Sequence, residues 1–97
     1  MSELKLTPGA RADLDATWDY TATHWGVDQA EAYLLSLSET MQFLANQPGL
    51  GRNIDDIKTG YYKFLAASHI LIFRKSTNAI EIVRVLHKSM DVELHFE

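Results

Sequence analysis

The segment "HILIFRKSTNAIEIVRVLH", which runs from His69 to His87, decides how this chain of 97 residues folds. It consists of two runs rich in β-branched and aromatic residues, separated by the turn-like "STN", and therefore predicts two antiparallel strands. Apolar side chains fall on both faces of each predicted strand: Ile70 and Ile72 oppose Leu71 and Phe73 in the first, and Ile80, Ile82 and Leu86 oppose Val83 and Val85 in the second. Strands with two apolar faces are buried on both, so the sheet needs a cover on each side.

The residues before this segment predict a hairpin of two helices that would cover one face. "LKL" at Leu4–Leu6 is predicted to be an edge strand, after which Thr7 is a helix N-cap and Pro8 the first helical residue. Gly26 is predicted to end the first helix. The side chains of this helix divide into an apolar stripe of Ala10, Leu14, Trp18, Thr21, Ala22 and Trp25, and an outward face with Asp13, Asp15 and Asp19.

The second helix is predicted to begin at a capping box formed by Asp28 and Glu31 and to end before Pro48. Its apolar stripe contains Ala30, Tyr33, Leu34, Leu37, Met41 and Leu44. After an irregular stretch, "YYKFLA" adds another strand, so the predicted order is β-α-α-β-β-β. This order indicates a single α+β domain over residues 1–97, with a helix hairpin packed on a small, mostly antiparallel sheet.

Two helices can cover one face of such a sheet, which leaves the other face to a different element. Two covers are possible from the sequence. One is another protein chain, and the other is the C-terminal tail, whose apolar residues are Met90, Val92, Leu94 and Phe96.

Composition excludes several classes of protein. The chain has no cysteine, so disulfide scaffolds, thiolate zinc sites and cysteine nucleophiles are excluded, and a reducing, cytoplasmic location is expected. No leader or membrane-spanning stretch and no cofactor motif is found, so neither a membrane nor a cofactor is expected. The net charge of −4 argues against general nucleic-acid binding. However, residues 1–50 carry two cations and seven carboxylates, whereas residues 57–90 carry six cations and one carboxylate, which favours an anionic partner for the second half.

The terminal stretch "RVLHKSMD", Arg84 to Asp91, gathers the most reactive side chains. His87, Asp91 and His95 have a spacing of four residues that would align metal ligands on a helix, but this signal is weak and no metal is predicted. A second hypothesis is acid-base cleavage of RNA, in which His87 titrates near neutrality and Arg74, Arg84 and Lys88 stabilise a pentacoordinate phosphate. A third is that His87 is a hydrogen-bonded structural residue.

Several stretches, taken in order, resemble the ParE toxins of bacterial toxin-antitoxin pairs, within the wider RelE/ParE superfamily. They are "LTPGARADLDATWDYTATHWGVDQAEAYLLSL", "NQPGLGRNIDDIKTGYYKF", "SHILIFRK" and "IEIVRVLHKSMD". The most specific pieces are the W-G-x-x-Q-A-E-x-Y joint between the helices, the "GYYKF" and "SHILIFR" strands and the terminal "RVLHKSMD". The resemblance spans nearly the whole chain, and it implies the same small α+β fold that the hydrophobic pattern predicts.

The resemblance implies a toxin that inhibits DNA gyrase without catalytic activity of its own and forms a hetero-oligomer with a ParD-like antitoxin. The expected antitoxin contacts are Tyr33, Leu37, Leu71, Phe73, Arg74 and Arg84. The expected target and toxicity residues are His87, Lys88, Met90 and Asp91. The alternative within the superfamily is a RelE-like, ribosome-dependent mRNA endonuclease that would use His87, Arg84 and Arg74. We favour the gyrase inhibitor because Lys88 stands where such a nuclease often has an aromatic residue, and Ile70 and Leu71 stand where it would need a cation.

Overall fold

Two helices lie against one face of a five-stranded sheet in the computed structural model, which describes residues 2–95. The elements, in chain order, are β1 (Glu3–Leu6), α1 (Pro8–Trp25), α2 (Val27–Asn46), a short 3-10 helix (Pro48–Leu50), β2 (Arg52–Asn53), β3 (Tyr61–Ala66), β4 (His69–Ser76) and β5 (Ala79–His87). The strand order is β1-β5-β4-β3-β2; β1 is parallel to β5 and the other pairs are antiparallel. The predicted α+β class and element order are confirmed, and the two-residue β2 is an addition that sequence did not predict.

The two ends of α1 follow the sequence closely. The Thr7 side chain accepts a hydrogen bond from the Ala10 amide at 3.1 Å, as an N-cap does. Gly26 ends the helix with a φ of 97°, a conformation that glycine adopts without steric cost. The predicted capping box at Asp28 is wrong, because α2 begins at Val27 and Gly26 serves both helices as their cap. A junction of one glycine leaves no extended residue whose side chain could cap α2.

The main core lies between the helices and the sheet. It contains the buried side chains of Ala10, Leu37, Met41, Leu44, Ala45, Ala66, Leu71, Phe73, Ile80, Ile82 and Val85. Most of the predicted helix stripes therefore face the sheet, because burying this apolar surface is the main favourable term in folding. Trp25 is the exception: its side chain is 71% exposed, although the pattern predicts it to be in the core.

A β-bulge changes which side chains of β5 share a face. Ile72 is paired with Arg84 and Phe73 with Ile82, so Val83 is an extra residue in β5. An extra residue reverses the alternation beyond it. Val85 therefore joins Ile80 and Ile82 on the helix side, while Leu86 faces away. The prediction that Leu86 shares a face with Ile80 and Ile82 is wrong for this reason.

The second face of the sheet is covered by the chain itself. Ile54, Ile72 and Leu86 are buried there as a small separate cluster. Ile57 from the β2–β3 connection and Val92 from the C-terminal tail pack against it, together with the strand residues Tyr61 and Ile70. The tail is thus part of the cover, as the sequence suggested, and the β2–β3 connection is an additional part. Phe96, also predicted for the tail, lies outside the described residues.

Neither of the two helices found within residues 2–95 is long and apolar enough to cross a membrane.

Candidate functional site

A groove runs between α1, the start of α2 and the adjoining ends of β4 and β5. It consists of two neighbouring depressions of about 370 and 540 Å³, both lined by Thr17, Tyr20 and His87. The first is also lined by Thr21, Trp25, Gln29, Tyr33, Ser68 and His69. The second is also lined by Asp13, Ala16, Arg84, Val85, Leu86, Ser89, Met90 and His95. We call the two together the hairpin groove.

A chain of hydrogen bonds fixes His69 at the bottom of the hairpin groove. The Ser68 amide donates to the Tyr33 hydroxyl oxygen at 3.1 Å, and this hydroxyl lies 2.6 Å from His69 Nδ1. His69 Nε2 lies 3.4 Å from Thr17 Oγ1, and Thr17 donates in turn to the Asp13 carbonyl oxygen at 2.8 Å. Because the Thr17 hydroxyl donates its proton to this carbonyl oxygen, it can only accept from His69 Nε2. This places the ring proton of a neutral His69 on Nε2 and leaves Nδ1 to accept from the Tyr33 hydroxyl. No pattern in the sequence indicated this network.

The environment of His69 favours the uncharged ring. Burial lowers the pKa of His69 first, and the nearby His87 lowers it further, whereas Asp13 acts to raise it. The rings of His69 and His87 meet edge to face with centroids 5.3 Å apart. A buried, neutral and fully hydrogen-bonded imidazole is a structural residue and a poor proton donor at neutral pH.

The lowered pKa of His69 predicts a loss of stability in mild acid. The unfolded ring, with a pKa of about 6.5, binds a proton more readily than the folded one, so the free energy of unfolding should fall as the pH drops below about 6.5. The slope that His69 contributes should not exceed about 1.4 kcal/mol per pH unit. Urea unfolding between pH 7.5 and 5.5 measures it. His69→Gln should flatten the slope, and equal slopes in the parent protein and this variant would contradict the prediction.

Asp13 and Arg84 form a two-pronged ion pair at the edge of β5. Arg84 Nε donates to Asp13 Oδ2 at 2.7 Å and Arg84 Nη2 donates to Asp13 Oδ1 at 3.0 Å. Asp13 Oδ2 also accepts from the Val85 amide at 2.8 Å. Because β1 ends at Leu6, this part of the β5 edge has no neighbouring strand, and the carboxylate takes its place. The prediction that Asp13 points outward is therefore wrong.

The predicted target residues lie where β5 ends and the chain turns away from the sheet. His87 is half-buried, and its Nδ1 accepts from the Ser89 amide at 3.1 Å. Lys88, Met90 and Asp91 are exposed. The stretch that follows forms turns and no helix, so His87, Asp91 and His95 are not aligned as they would be on a helix. Within residues 2–95, no three His, Cys, Asp or Glu side chains are grouped as a metal site.

Arg74 lies at the other end of the sheet from His87. Arg74 Nε donates to Glu81 Oε1 at 2.6 Å, and Nη1 donates to the Tyr61 hydroxyl at 3.3 Å. The paired residues His69 and His87 are five positions along β4 from Arg74, which corresponds to about 17 Å. The structure therefore does not bring together the Arg74, Arg84 and His87 set that the nuclease alternative requires.

Three of the predicted antitoxin contacts are inaccessible in this conformation. Leu37, Leu71 and Phe73 belong to the core, where Leu37 is 1% exposed and the other two are 0% exposed. Leu71 and Phe73 are covered by the two helices, and Leu37 faces the sheet from α2. The apolar pattern of the sequence does not distinguish such core residues from apolar residues that remain exposed. Tyr33 is half-buried with its hydroxyl in the His69 network, while Arg74 is exposed.

The groove presents instead aromatic surface that the sequence pattern assigned to the core or did not single out. Trp25 is 71% exposed and Tyr20 is 61% exposed, and both line the groove beside Tyr33. The Tyr20 ring also stacks on His24, with centroids 4.0 Å apart. Large aromatic groups at the edge of a groove are typical of protein-protein contact sites.

Two solved structures share this architecture. One, described as the chromosomal ParDE TA system from P. aeruginosa, matches with a TM-score of 0.78 and 29% identity, over 90% of this chain and 96% of that chain. The other, the YoeB-YefM complex from Staphylococcus aureus, matches with a TM-score of 0.59 over 90% of this chain and 97% of that chain, and its 16% identity shows the fold alone. The protein thus has the α+β fold of the RelE/ParE superfamily.

Sequence comparisons identify the family. The model described as ParE toxin of type II toxin-antitoxin system, parDE, matches residues 4–92. Toxin ParE1 of Mycobacterium tuberculosis is 45% identical over 93 residues, which are 95% of each chain. Toxin ParE1 of Caulobacter vibrioides is 37% identical over 95 residues, which are 98% of each chain. The chain therefore belongs to the ParE toxin family of type II toxin-antitoxin systems.

Proposed function

We propose that this toxin inhibits DNA gyrase in the cytoplasm and is silenced in a hetero-oligomer with a ParD-like antitoxin. The observation that carries the proposal is the match of the ParE family model to residues 4–92, which includes both long helices and all of the sheet except Glu3. The related P. aeruginosa structure is described as a ParDE system, which supports a ParD-type partner for this chain. Nucleic acid is not an expected direct ligand, because the chain carries a net charge of −4.

The two arginines that the nuclease alternative requires, Arg74 and Arg84, are each bound to a carboxylate, which argues against that alternative. A phosphate-cleaving site needs donors that converge on the charge that develops in the transition state. Arg84 is already held by the Asp13 carboxylate, and its pKa is raised mainly by that hydrogen bond. Arg74 is held by Glu81, well away from His87. The protein is accordingly proposed to act by binding, with no catalytic residue of its own.

We place the antitoxin contact on the hairpin groove and on the exposed Arg74 at the other end of the sheet. The exposed Tyr20 and Trp25 offer apolar surface, and Arg74 offers charge, which suits a partner segment with apolar and acidic residues. Leu37, Leu71 and Phe73 are buried in the core and are not part of this exposed surface. Lys88, Met90 and Asp91, exposed after β5, together with the half-buried His87, are proposed to contact the target.

Two reactions carried out side by side test the proposed activity. Purified toxin should inhibit supercoiling of relaxed plasmid by gyrase, and this inhibition should disappear when a ParD-like antitoxin is added first. The same preparation should leave a defined mRNA intact on translating ribosomes. Ribosome-dependent cleavage that is lost in His87→Ala, without any effect on gyrase, would instead make the protein a nuclease.

A further inference from the structure

We propose that Arg84 is a positioning residue that tethers the C-terminal tail, residues 88–95, to α1. Its guanidinium group binds in two directions at once. Nε and Nη2 donate to the two carboxylate oxygens of Asp13, and Nη1 donates to the backbone carbonyl oxygen of His95 at 2.7 Å. One side chain thus links α1, the part of β5 that β1 leaves unpaired and the end of the described chain.

The local backbone directs Arg84 to this position. The bulge at Val83 and the pairing with Ile72 put Arg84 on the tail side of the sheet, next to the edge that β1 leaves open. From there the side chain reaches around the edge to α1. A β-carbon at Gly9 would lie 3.3 Å from Arg84 Cδ, so the absence of a side chain at Gly9 leaves room for this path.

The arrangement requires arginine. A guanidinium carries five N–H groups in a rigid plane, so it can hold a carboxylate with one edge and a carbonyl with another. A lysine ammonium is a single charged centre on a flexible stem and can approach Asp13, but it cannot reproduce this planar fork toward two separate acceptors. The Arg84 and Asp13 side chains are 24% and 16% exposed, which limits competition from water.

The other tail contacts lie nearer its start. The Lys88 amide donates to the Ser68 carbonyl at 2.9 Å, and the Met90 amide donates to the His87 carbonyl at 2.9 Å. Val92 packs on the cluster of Ile54, Ile72 and Leu86. In the described part of the chain, the backbone amides of Leu94 and His95 donate only to carbonyl oxygens of the tail itself, those of Asp91 and Val92. The Arg84 bond is therefore the hydrogen bond that ties this last part of the tail to the body of the protein.

As a consequence, the tail is held in one conformation over the second face of the sheet. The tether closes a loop that contains the exposed residues Lys88, Met90 and Asp91, and thereby restricts their positions. The contribution of this restriction to growth inhibition rests on the proposed function, whereas the tether itself rests only on the contacts of Arg84. Because the bond goes to a backbone carbonyl, the side chain of His95 is not required for it.

Amide hydrogen exchange tests the tether directly. In Arg84→Lys, which keeps the positive charge, the amides of Leu94 and His95 should exchange at least about tenfold faster than in the parent protein, while amides of α2 remain protected. Arg74→Lys, at the exposed pair with Glu81, is the matched control and should leave the tail unchanged. His95→Ala should also leave it unchanged. Equal exchange in Arg84→Lys and the parent, or equal loosening in Arg74→Lys, would overturn the proposal.

A measurement on the parent protein covers the case in which Arg84→Lys fails to fold. Nuclear Overhauser contacts between the guanidinium protons of Arg84 and the backbone of residue 95 are expected, and their absence in a spectrum where the Arg84 guanidinium is resolved would also overturn the proposal. Growth assays then separate the tether from the function. A loosened tail with reduced growth inhibition supports both, whereas a loosened tail with full growth inhibition keeps the tether and refutes the contribution of the restricted tail to growth inhibition.

Discussion

Gly51→Ala is expected to lower the free energy of unfolding by about 3 kcal/mol, because the new methyl group overlaps a buried ring. A β-carbon at Gly51 would lie 2.2 Å from Cζ and 2.7 Å from Cε1 of Phe73, and 3.3 Å from the β-carbon of Tyr62. Phe73 has no exposed surface, and its ring stacks on Tyr62 with centroids 5.6 Å apart. The ring therefore cannot move without disturbing the core. Urea unfolding followed by circular dichroism measures the loss.

Two further variants isolate the cause of this loss. Gly49→Ala, two residues earlier, places a methyl group where no atom lies within 4 Å, and should change stability by less than about 0.5 kcal/mol. Phe73→Leu removes the ring atoms that the methyl group meets, so Gly51→Ala should cost clearly less in that background. A full-sized loss from Gly51→Ala in the Phe73→Leu protein would show that the ring contact is not the reason.

Deleting Met90 to Glu97 is expected to abolish growth inhibition, whereas His87→Gln is expected to be nearly silent. The deletion removes Met90 and Asp91, two of the exposed residues proposed to contact the target, and the carbonyl that Arg84 holds. A glutamine oxygen can accept the hydrogen bond that the Ser89 amide now donates to His87 Nδ1, but glutamine does not titrate. A catalytic base would lose about 10²- to 10⁴-fold in rate on such a change. Growth curves at matched expression measure both effects.

The deletion also removes Val92 from the cluster on the second face, so its effect on folding needs a control. The truncated toxin should still bind its antitoxin and unfold cooperatively. A second variant, Lys88→Glu combined with Met90→Asp, changes two exposed side chains and leaves the core intact. It should also suppress growth inhibition. A folded His87→Gln protein that binds antitoxin but no longer inhibits growth would show that titration at His87 is essential.

The sequence by itself determined the two long helices, the four longer strands and their order. Runs of β-branched and aromatic residues over His69–Ser76 and Ala79–His87 predicted both strands, because such side chains pack well on a pleated surface. Thr7 and Gly26 marked the ends of α1, because a cap and a positive φ are local properties of the chain. The sequence also indicated that both faces of the sheet needed a cover, and it correctly included the tail as one candidate.

Only the tertiary structure decided which of these residues form the site. The bulge at Val83 turned Leu86 to the second face, because one extra residue shifts every side chain after it. Asp13, which helical periodicity placed outside, turned to the β5 edge because an unpaired strand amide and a guanidinium lie there. Likewise, Trp25 is left exposed, and burial and the nearby His87 lower the pKa of His69. Periodicity reports the local direction of a side chain, whereas its partner and its charge depend on contacts that form only when distant segments pack together.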